Sequence, residues 1–258
     1  MITLPSGATL PNNPRIGWHN IVPDCTLAAT GETVGFPVEN LANAATYLPW
    51  KGEDAAGETI SVTPVSSTPI NYLGIARHNL SGTQYTLQSS PDDSTWTTIA
   101  TATPSDNSPI IHAFDEVDEP YYRLVLAAGP VTPSIAVLYL GELLTIERRI
   151  HVGHTPAQLG RVQEVSSGIS ESGQYLGRVL RSATFETTVE LQNLTSTHFY
   201  DDIDPFLEVV AVTPFFWARR PDARPDEVIF GWVQGDPSVV NQRNNGMMQV
   251  SWKMQGIR

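Results

Sequence analysis

The chain has 258 residues and a net charge of −12, with 41% hydrophobic and 16% charged residues. This length fits two modest domains, and the low charged share leaves room for the Thr, Ser, Pro, Gly and Asn that suit short strands joined by turns. An acidic chain is a poor partner for phosphate backbones, which require clustered Lys and Arg, so we expect no nucleic-acid binding.

The charge is uneven along the chain. Residues 1–145 hold 4 Lys and Arg against 14 Asp and Glu, whereas residues 146–258 hold 11 against 13. This step favours a domain boundary near residue 145.

A single cysteine, Cys25, excludes an internal disulfide and a zinc site built on several thiolates, and we expect it to be a small, partly buried hydrophobe. The first residues lack the basic and apolar regions of a secretory signal, and no apolar run approaches the ~18 residues of a membrane span. These observations predict synthesis in a reducing compartment without membrane insertion.

Residues 1–36 show little periodicity, because prolines interrupt the segment four times. Its apolar residues include Trp18, Ile21 and Val22. We predict an N-terminal arm that packs on a neighbouring surface and is no domain by itself.

The clearest strand-and-turn pattern runs from Tyr85 to Trp96. Tyr85, Leu87 and Ser89 fall on one face of a strand. The Pro, Asp and Ser residues at 91–94 favour a chain reversal, and Trp96 follows as an aromatic of the buried type.

Further strands are predicted on both sides of this block, at a spacing typical of a β-sandwich. They cover residues 58–65, 72–76, 95–100, 121–126 and 135–142, with a polar turn at 77–82.

Three of these segments, taken together, resemble a discoidin-like (galactose-binding-like) module. They are residues 85–96, Tyr121-Tyr-Arg-Leu and Ile135–Glu142. The resemblance covers residues 40–142 and implies a β-sandwich over 37–145 that binds or scaffolds and rarely catalyses. The cysteine pair and the calcium-loop carboxylates found in some members have no counterpart here, so no metal is expected.

Residues 146–258 predict an antiparallel sheet that carries one helix. Strands are predicted over 184–191, 214–218, 228–233 and 248–255. The helix is predicted from apolar residues at helical spacing, namely Phe199, Ile203, Phe206, Leu207 and Val210. Asp204 is expected to cap a second start with Pro205 at its first position, and Phe215, Phe216, Trp217 and Trp232 are expected in the core.

Residues 143–183 are predicted to form a polar hairpin. Strands are expected over 146–152, 161–165 and 176–180, with a flexible tip built from Gly168, Ser170, Ser172 and Gly173. Hairpins of this kind often reach a neighbouring subunit.

The sequence contains no motif of a catalytic nucleophile, a phosphate-binding loop or a dinucleotide fold, so we expect no catalytic residues and no cofactor. His151 and His154 lack a His-Glu-x-x-His frame, and a polar loop or subunit contact is favoured over a metal role. Asp201, Asp202 and Asp204 are better explained by the helix start than by cation binding.

Trp50, Arg77 and His78 are the candidate glycan contacts, because aromatic planes beside hydrogen-bonding side chains suit sugars. The opposing interpretation, which we favour, places Trp50 in the core and makes residues 77–79 a turn, because Trp is usually highly buried.

The C-terminal third resembles the closing region of distal tail proteins, or allied baseplate or minor tail proteins, of long-tailed bacteriophages. The motifs are Arg181-x-x-x-Phe185-Glu, the Asp-Asp-x-Asp-Pro-Phe run at 201–206, and residues 214–217, 228–232, 241–246 and 247–256. The resemblance implies a tail-tube-like antiparallel β-sandwich or barrel over 146–258 on which the N-terminal arm packs. It also implies a ring of copies, commonly a hexamer, located at the tail tip after assembly in the bacterial host cytoplasm.

We therefore expect an all-β structural virion protein, a ring-forming adaptor that joins the tail tube to baseplate hub proteins and has no enzymatic activity. The alternative is a carbohydrate-binding adhesion module that contacts host-surface polysaccharide, and the two can coexist. A polysaccharide hydrolase would need two carboxylates about 5–10 Å apart in a cleft, and no pair stands out.

Overall fold

The computed structural model describes residues 1–242 and 246–257, which fold into three β-sheets with one short helical segment. The strands are β1 (Ile2–Thr3), β2 (Arg15–Gly17), β3 (Cys25–Ala29), β4 (Trp50–Lys51), β5 (Glu58–Pro64), β6 (Ile70–His78), β7 (Tyr85–Ser90), β8 (Thr97–Ala102), β9 (Ile110–Val117), β10 (Tyr121–Leu126), β11 (Ser134–Gly141), β12 (Leu144–Thr145), β13 (Arg161–Ile169), β14 (Tyr175–Leu194), β15 (Phe215–Ala218), β16 (Val228–Asn241) and β17 (Met248–Ile257). The helical segment comprises α1 (Ser196–His198), a π-helical turn (Phe199–Ile203) and α2 (Asp204–Val209), and short 3₁₀ turns lie at Val22–Asp24, Val38–Ala42 and Ala157–Leu159. The all-β fold class is confirmed.

Two five-stranded sheets form the predicted β-sandwich. Their strand orders are β1-β9-β6-β11-β4 and β3-β5-β10-β7-β8, and β1 is the parallel partner of β9. A single apolar core joins both sheets and includes Ile60, Leu73, Tyr85, Leu124 and Leu138. Burial of this apolar area is the main favourable term for the folding of the sandwich.

The strands predicted for the sandwich are confirmed to within two residues at each end. Tyr85, Leu87 and Ser89 are buried, as the alternation predicted. Strand β9 was not predicted, because its first five residues are all buried and show no alternation. Ile110 lies in the sandwich core and Ile111 in a second core on the other face of the sheet.

The C-terminal half forms one antiparallel sheet of seven strands, in the order β12-β2-β15-β16-β17-β14-β13. The end strands β12 and β13 are not paired with each other over the described residues, so the sheet is open and the barrel form of the prediction is wrong. Strand β14 runs unbroken through two predicted strands, and the strand predicted over 146–152 is absent. Residues 243–245, part of the tail-protein resemblance, lie outside the described residues.

Of the four aromatics expected in this core, Phe215, Phe216 and Trp217 are buried and Trp232 is 38% exposed. Trp232 stands opposite Gln255 on a part of the sheet that carries polar side chains. The core prediction for Trp232 is therefore wrong.

The predicted helical segment is confirmed, and its apolar side packs on the sheet. Phe206 contacts Trp252 edge-on, with 5.9 Å between ring centroids. The cap differs from the prediction: the Thr195 hydroxyl accepts the N–H of His198, whereas Asp204 already has helical dihedrals (φ −59°, ψ −44°). No helix in the described part of the chain is long and apolar enough to cross a membrane.

The first 36 residues contribute to all three sheets. Strand β1 lies beside β9, β2 lies between β12 and β15, and β3 lies beside β5. Trp18 packs against the core of the C-terminal sheet, and Ile21 and Val22 belong to the sandwich core. The segment thus passes between the two halves of the molecule.

A shared apolar cluster holds the C-terminal sheet against the sandwich. Tyr139 of β11 meets Phe216 and Phe230 edge-on, with ring centroids 5.3 and 5.9 Å apart. The Tyr139 hydroxyl donates a hydrogen bond of 2.9 Å to the carbonyl of Pro214. All three rings are buried, so this contact fixes the orientation of the two halves.

Candidate functional site

A β-hairpin extends beyond the C-terminal sheet. Strand β14 pairs with β17 only from Phe185 onward, so its residues 175–184 have β13 as their strand partner. We call this segment, residues 161–184, the arm. The nine residues of β13 give it a length of about 30 Å. At the tip, Gly173 has φ +81° and closes the predicted turn.

Most of the large apolar side chains of the arm share one face. Val165 pairs with Leu180, Ser167 with Arg178, and Ile169 with Tyr175. Cross-strand partners and every second residue of a strand share one face of a hairpin. The arm face therefore consists of Val165, Ser167, Ile169, Tyr175, Arg178 and Leu180.

The four large apolar side chains of the arm face are exposed to solvent by 42% (Val165), 72% (Ile169), 67% (Tyr175) and 52% (Leu180). Two-stranded hairpins are marginally stable alone, and clustered exposed apolar side chains mark interaction surfaces. The opposite face carries the pairs Glu164–Ser182, Ser166–Val179 and Gly168–Gly177, and Leu176 lies beside Gly168. Both faces of the arm therefore expose apolar side chains, and the arm face has the larger set.

The predicted glycan contacts do not form a common surface. Trp50 is fully buried, and its indole N–H has no acceptor among the described residues. His78 is also buried: Nε2 lies 2.9 Å from the Ser108 carbonyl, and Nδ1 accepts the N–H of Leu80. The favoured core interpretation thus describes Trp50 correctly, whereas β6 continues through His78, so the turn begins later than expected.

Arg77 is the one residue of the three that remains exposed. Its backbone has φ +51°, a left-handed conformation near the end of β6. For the neighbouring His78, burial of the imidazole ring lowers its pKa, so this histidine is neutral at physiological pH.

A better candidate for ligand contact lies on the outer face of the second sandwich sheet. Arg123 of β10 stands opposite Gln88 of β7, which pairs with Thr98 of β8. Arg123 Nε donates to Gln88 Oε1 at 2.7 Å, and its guanidinium lies over the ring of Trp96 at 4.0 Å. Trp96 is only partly buried, so the expectation of a buried aromatic is wrong.

The turn that positions Trp96 is confirmed. Asp92 Oδ1 accepts the backbone N–H groups of Thr95 (2.7 Å) and Ser94 (3.0 Å). These bonds hold the pKa of Asp92 well below its usual range. The sequence pattern predicted the reversal, but not that the following aromatic would lie on the outside.

A cleft of about 480 Å³ opens at one edge of the sandwich, between β8 of one sheet and β9 of the other. Its apolar lining includes Leu4, Pro5, Ile99, Phe114 and Val117. Asp115 and Glu119 add two carboxylates to its wall, and Glu116 and Asp118 lie beside them in the chain. We call this the edge cleft.

His112 lies at the edge cleft, and its Nδ1 is 2.9 Å from the hydroxyl of Tyr85. Burial lowers the pKa of His112 and raises that of Tyr85 well above its usual range. Both groups are therefore neutral at physiological pH, and they offer a polar contact without charge.

His151 and His154 belong to a loop beside the C-terminal sheet. His154 Nδ1 lies 2.8 Å from the His151 carbonyl, and His154 Nε2 lies 3.0 Å from Nη1 of Arg219. Within residues 1–242 and 246–257, no three His, Cys, Asp or Glu side chains come together in a way that could hold a metal ion. Of the aspartates near the helix, Asp202 Oδ2 lies 2.7 Å from His198 Nδ1.

No protein-family model and no curated protein matches the chain. Solved structures are similar to about half of it. Chitosan-binding module 1 from a chitosanase/glucanase of Paenibacillus sp. IK-5 is 22% identical and covers 47% of this chain and 98% of its own, with a TM-score of 0.43. The family 32 module of Clostridium perfringens NanJ, in complex with galactose, is 20% identical and covers 48% and 98%, also with a TM-score of 0.43.

A second Clostridium perfringens module, in complex with GalNAc-β-1,3-galactose, is 19% identical, covers 48% of this chain and 99% of its own, and has a TM-score of 0.43. Structural neighbours of about half the chain are thus discoidin-like carbohydrate-binding modules. They do not bear on the resemblance of the C-terminal third to tail proteins.

Proposed function

We propose that this protein is a self-assembling binding protein without catalytic machinery, in which the arm joins copies and the sandwich presents a carbohydrate-binding surface. More specifically, we propose that the protein is an adaptor at a bacteriophage tail tip, as the resemblance of its C-terminal motifs to distal tail proteins implies. The carbohydrate-binding role has counterparts among the similar solved structures, and the tail location has none among those described above.

The observation that carries the assembly proposal is the exposed apolar arm face. Four exposed apolar side chains share a face of a hairpin that has no sheet partner beyond itself. Covering that face with another copy removes apolar area from water without disturbing the fold, and ring-forming proteins gain their stability in this way.

Native mass spectrometry tests the assembly proposal. The wild-type chain is expected to form a closed ring of several copies, and Leu180→Glu to shift it to monomer. Val179→Glu is the matched control: this residue is 68% exposed, precedes Leu180 and pairs with Ser166 on the other face. A monomeric wild-type protein at high concentration, or equal effects of both variants, would contradict the proposal.

Carbohydrate binding is a second proposal, and the observation that favours it is the row of Trp96, Arg123 and Gln88 on the outer sandwich face. An aromatic ring beside fixed hydrogen-bonding groups suits the apolar faces and hydroxyls of a sugar. The similar solved structures include a chitosan-binding module and a module in complex with galactose, which have the same class of function.

A glycan array with the wild-type protein and Trp96→Ala tests this second proposal. Binding that is lost in Trp96→Ala and kept in Tyr47→Ala, a change at a 79% exposed aromatic, supports it. The absence of any hit for the wild-type protein contradicts it. Trp50→Ala is unsuitable as a probe, because removing a fully buried Trp side chain destabilises the core.

The absence of catalysis is part of the proposal. The edge cleft has two carboxylates in its wall, but Asp115 is exposed to solvent. A glycosidase acid needs an apolar surrounding that raises its pKa. Release of reducing sugar from any bound polysaccharide, lost in Asp115→Asn, would overturn this part.

A further inference from the structure

We propose that the arm face of one copy seats in the edge cleft of the next copy, with Arg178 paired to Asp115 and Glu119. This inference rests on the proposed self-assembly and specifies the surface that receives the arm. Three observations on residues of this chain support it.

The first observation is an unpaired cation in the middle of the arm face. Arg178 is exposed and makes no hydrogen bond or ion pair within the described residues, while Val165, Ile169, Tyr175 and Leu180 surround it on the same face. Covering this face with an apolar surface alone would bury an uncompensated charge, which is costly. The partner surface must therefore supply a carboxylate among apolar groups.

The second observation is that the edge cleft has this combination. Leu4, Ile99 and Phe114 contribute apolar lining, and Asp115 and Glu119 contribute carboxylates. Neither carboxylate forms an ion pair within the described residues. The arm and the cleft are thus complementary in both charge and polarity.

The third observation concerns the other acidic cleft, which fits less well. It has a volume of about 540 Å³ and is lined by Trp18, Glu142, Asp201 and Asp202 among mainly polar groups. Asp202 already contacts His198 at 2.7 Å. Four carboxylates line this cleft, namely Glu116, Glu142, Asp201 and Asp202, so the single Arg178 would leave most of their charge uncompensated.

The arm belongs to the C-terminal sheet and the edge cleft to the sandwich, so the contact joins two different surfaces. Repeated from one copy to the next, a contact of this kind is heterologous, and it closes into a ring or continues as a filament. Each copy then uses its arm on one neighbour and its cleft on the other.

Charge reversal tests the pairing with the full-length protein. Arg178→Glu and the double variant Asp115→Arg/Glu119→Arg are each expected to raise the dissociation constant of the assembly at least about tenfold, because buried charge pairs at interfaces couple strongly. Combining all three substitutions in one chain is expected to restore the wild-type assembly. All sites are at the surface, and circular dichroism verifies that each variant is folded.

A mixture of the arm variant with the cleft variant gives a sharper result. The reversed arm of one variant fits the reversed cleft of the other, and the unchanged arm of the second fits the unchanged cleft of the first, whereas copies of the same variant repel each other. The mixture is therefore expected to form assemblies larger than a dimer in which the two variants alternate in equal numbers, while each variant alone stays monomeric in native mass spectra. Glu142→Arg, which alters the other acidic cleft, serves as the control and is expected to leave assembly unchanged.

The outcomes separate this inference from the proposed function. If Leu180→Glu disrupts assembly but the cleft variant does not, and the triple variant is not rescued, the arm is an interface and the edge cleft is not its receiver. The inference is also wrong if Glu142→Arg disrupts the assembly and Asp115→Arg/Glu119→Arg does not. If no arm variant changes the assembly, both this inference and the proposed self-assembly through the arm are wrong.

Discussion

Phe216 lies so close to Gly74 that no side chain fits between them: a Cβ built on Gly74 would be 2.6 Å from Cε2 of the Phe216 ring. Gly74 belongs to β6 of the sandwich and Phe216 to β15 of the C-terminal sheet. The two halves of the protein therefore meet at backbone distance, and the interface depends on the absence of a side chain at Gly74.

Gly74→Ala is expected to lower the free energy of unfolding by about 1–3 kcal/mol, because the added methyl group overpacks the ring of Phe216. Urea unfolding measures this change. Gly168→Ala is the matched control, since its Cβ would meet Leu176 at an ordinary 3.4 Å, and a change within about 0.5 kcal/mol is expected there. Equal effects of the two substitutions would contradict the close contact.

Thr195→Ala is expected to destabilise the protein by about 1 kcal/mol, because the hydroxyl accepts the N–H of His198 and caps the helical segment. Thr195→Ser should retain most of the stability. Asp204→Ala should have little effect, since Asp204 lies inside the helical segment and makes no cap hydrogen bond. Thermal unfolding measures the stability of the three variants. A larger loss of stability for Asp204→Ala than for Thr195→Ala would show that Asp204 caps the helix, as the sequence predicted.

Acidification between about pH 7 and 5 is expected to destabilise the protein through His78 and His112. Burial lowers the pKa of both rings below the 6.5 of an exposed histidine, so the unfolded chain binds more protons in this window. Stability is therefore complete above the unfolded pKa and falls as the pH drops below it.

The slope of unfolding free energy against pH, measured in urea, tests this pH dependence. The slope should flatten in His78→Gln and in His112→Gln, and more so in the double variant. A slope in the double variant equal to that of the wild type would assign the pH dependence to other groups.

The ion pair of Arg219 and Glu227 is expected to stabilise the loop that carries His154. Arg219 Nη2 lies 2.6 Å from Glu227 Oε2, and the side chains are 12% and 15% exposed. Glu227→Ala should cost about 3 kcal/mol, because it leaves the guanidinium nearly buried without its partner. The double variant Arg219→Met/Glu227→Leu removes both charges and should cost less. Chemical denaturation measures the free energy of unfolding of both variants. Equal losses of stability would show that the unpaired charge of Arg219 is not the cause of the effect of Glu227→Ala.

Local patterns predicted much of the fold, because alternation and helical spacing are visible wherever one face of an element is buried and the other is wet. β17 is an example, with Met248, Val250, Trp252 and Met254 all buried. β9 escaped prediction because both of its faces are covered, one by the sandwich core and one by the cluster shared with the C-terminal sheet. A strand that is buried on both faces carries no period of two.

The candidate sites were harder to predict from the sequence than the strands were. Trp50 and Trp96 were each expected to follow the usual burial of tryptophan, and only Trp50 does. A signal for the arm was present in the spacing of Val165, Ser167 and Ile169. The face they share with Leu180 depends on a register shift between Glu164 and Val165, and bulges of this kind are not readable from one strand alone.

The amino-acid sequence by itself determined the strands that have one buried and one exposed face, the helical segment, the acidic balance and the absence of known catalytic motifs, since each depends on neighbouring residues or on simple counts. The tertiary structure decided which side chains face solvent, how β15 meets β6 and which residues share the arm face. Those properties depend on strand pairing between residues distant in the chain, where a shift of one position exchanges the buried and exposed faces.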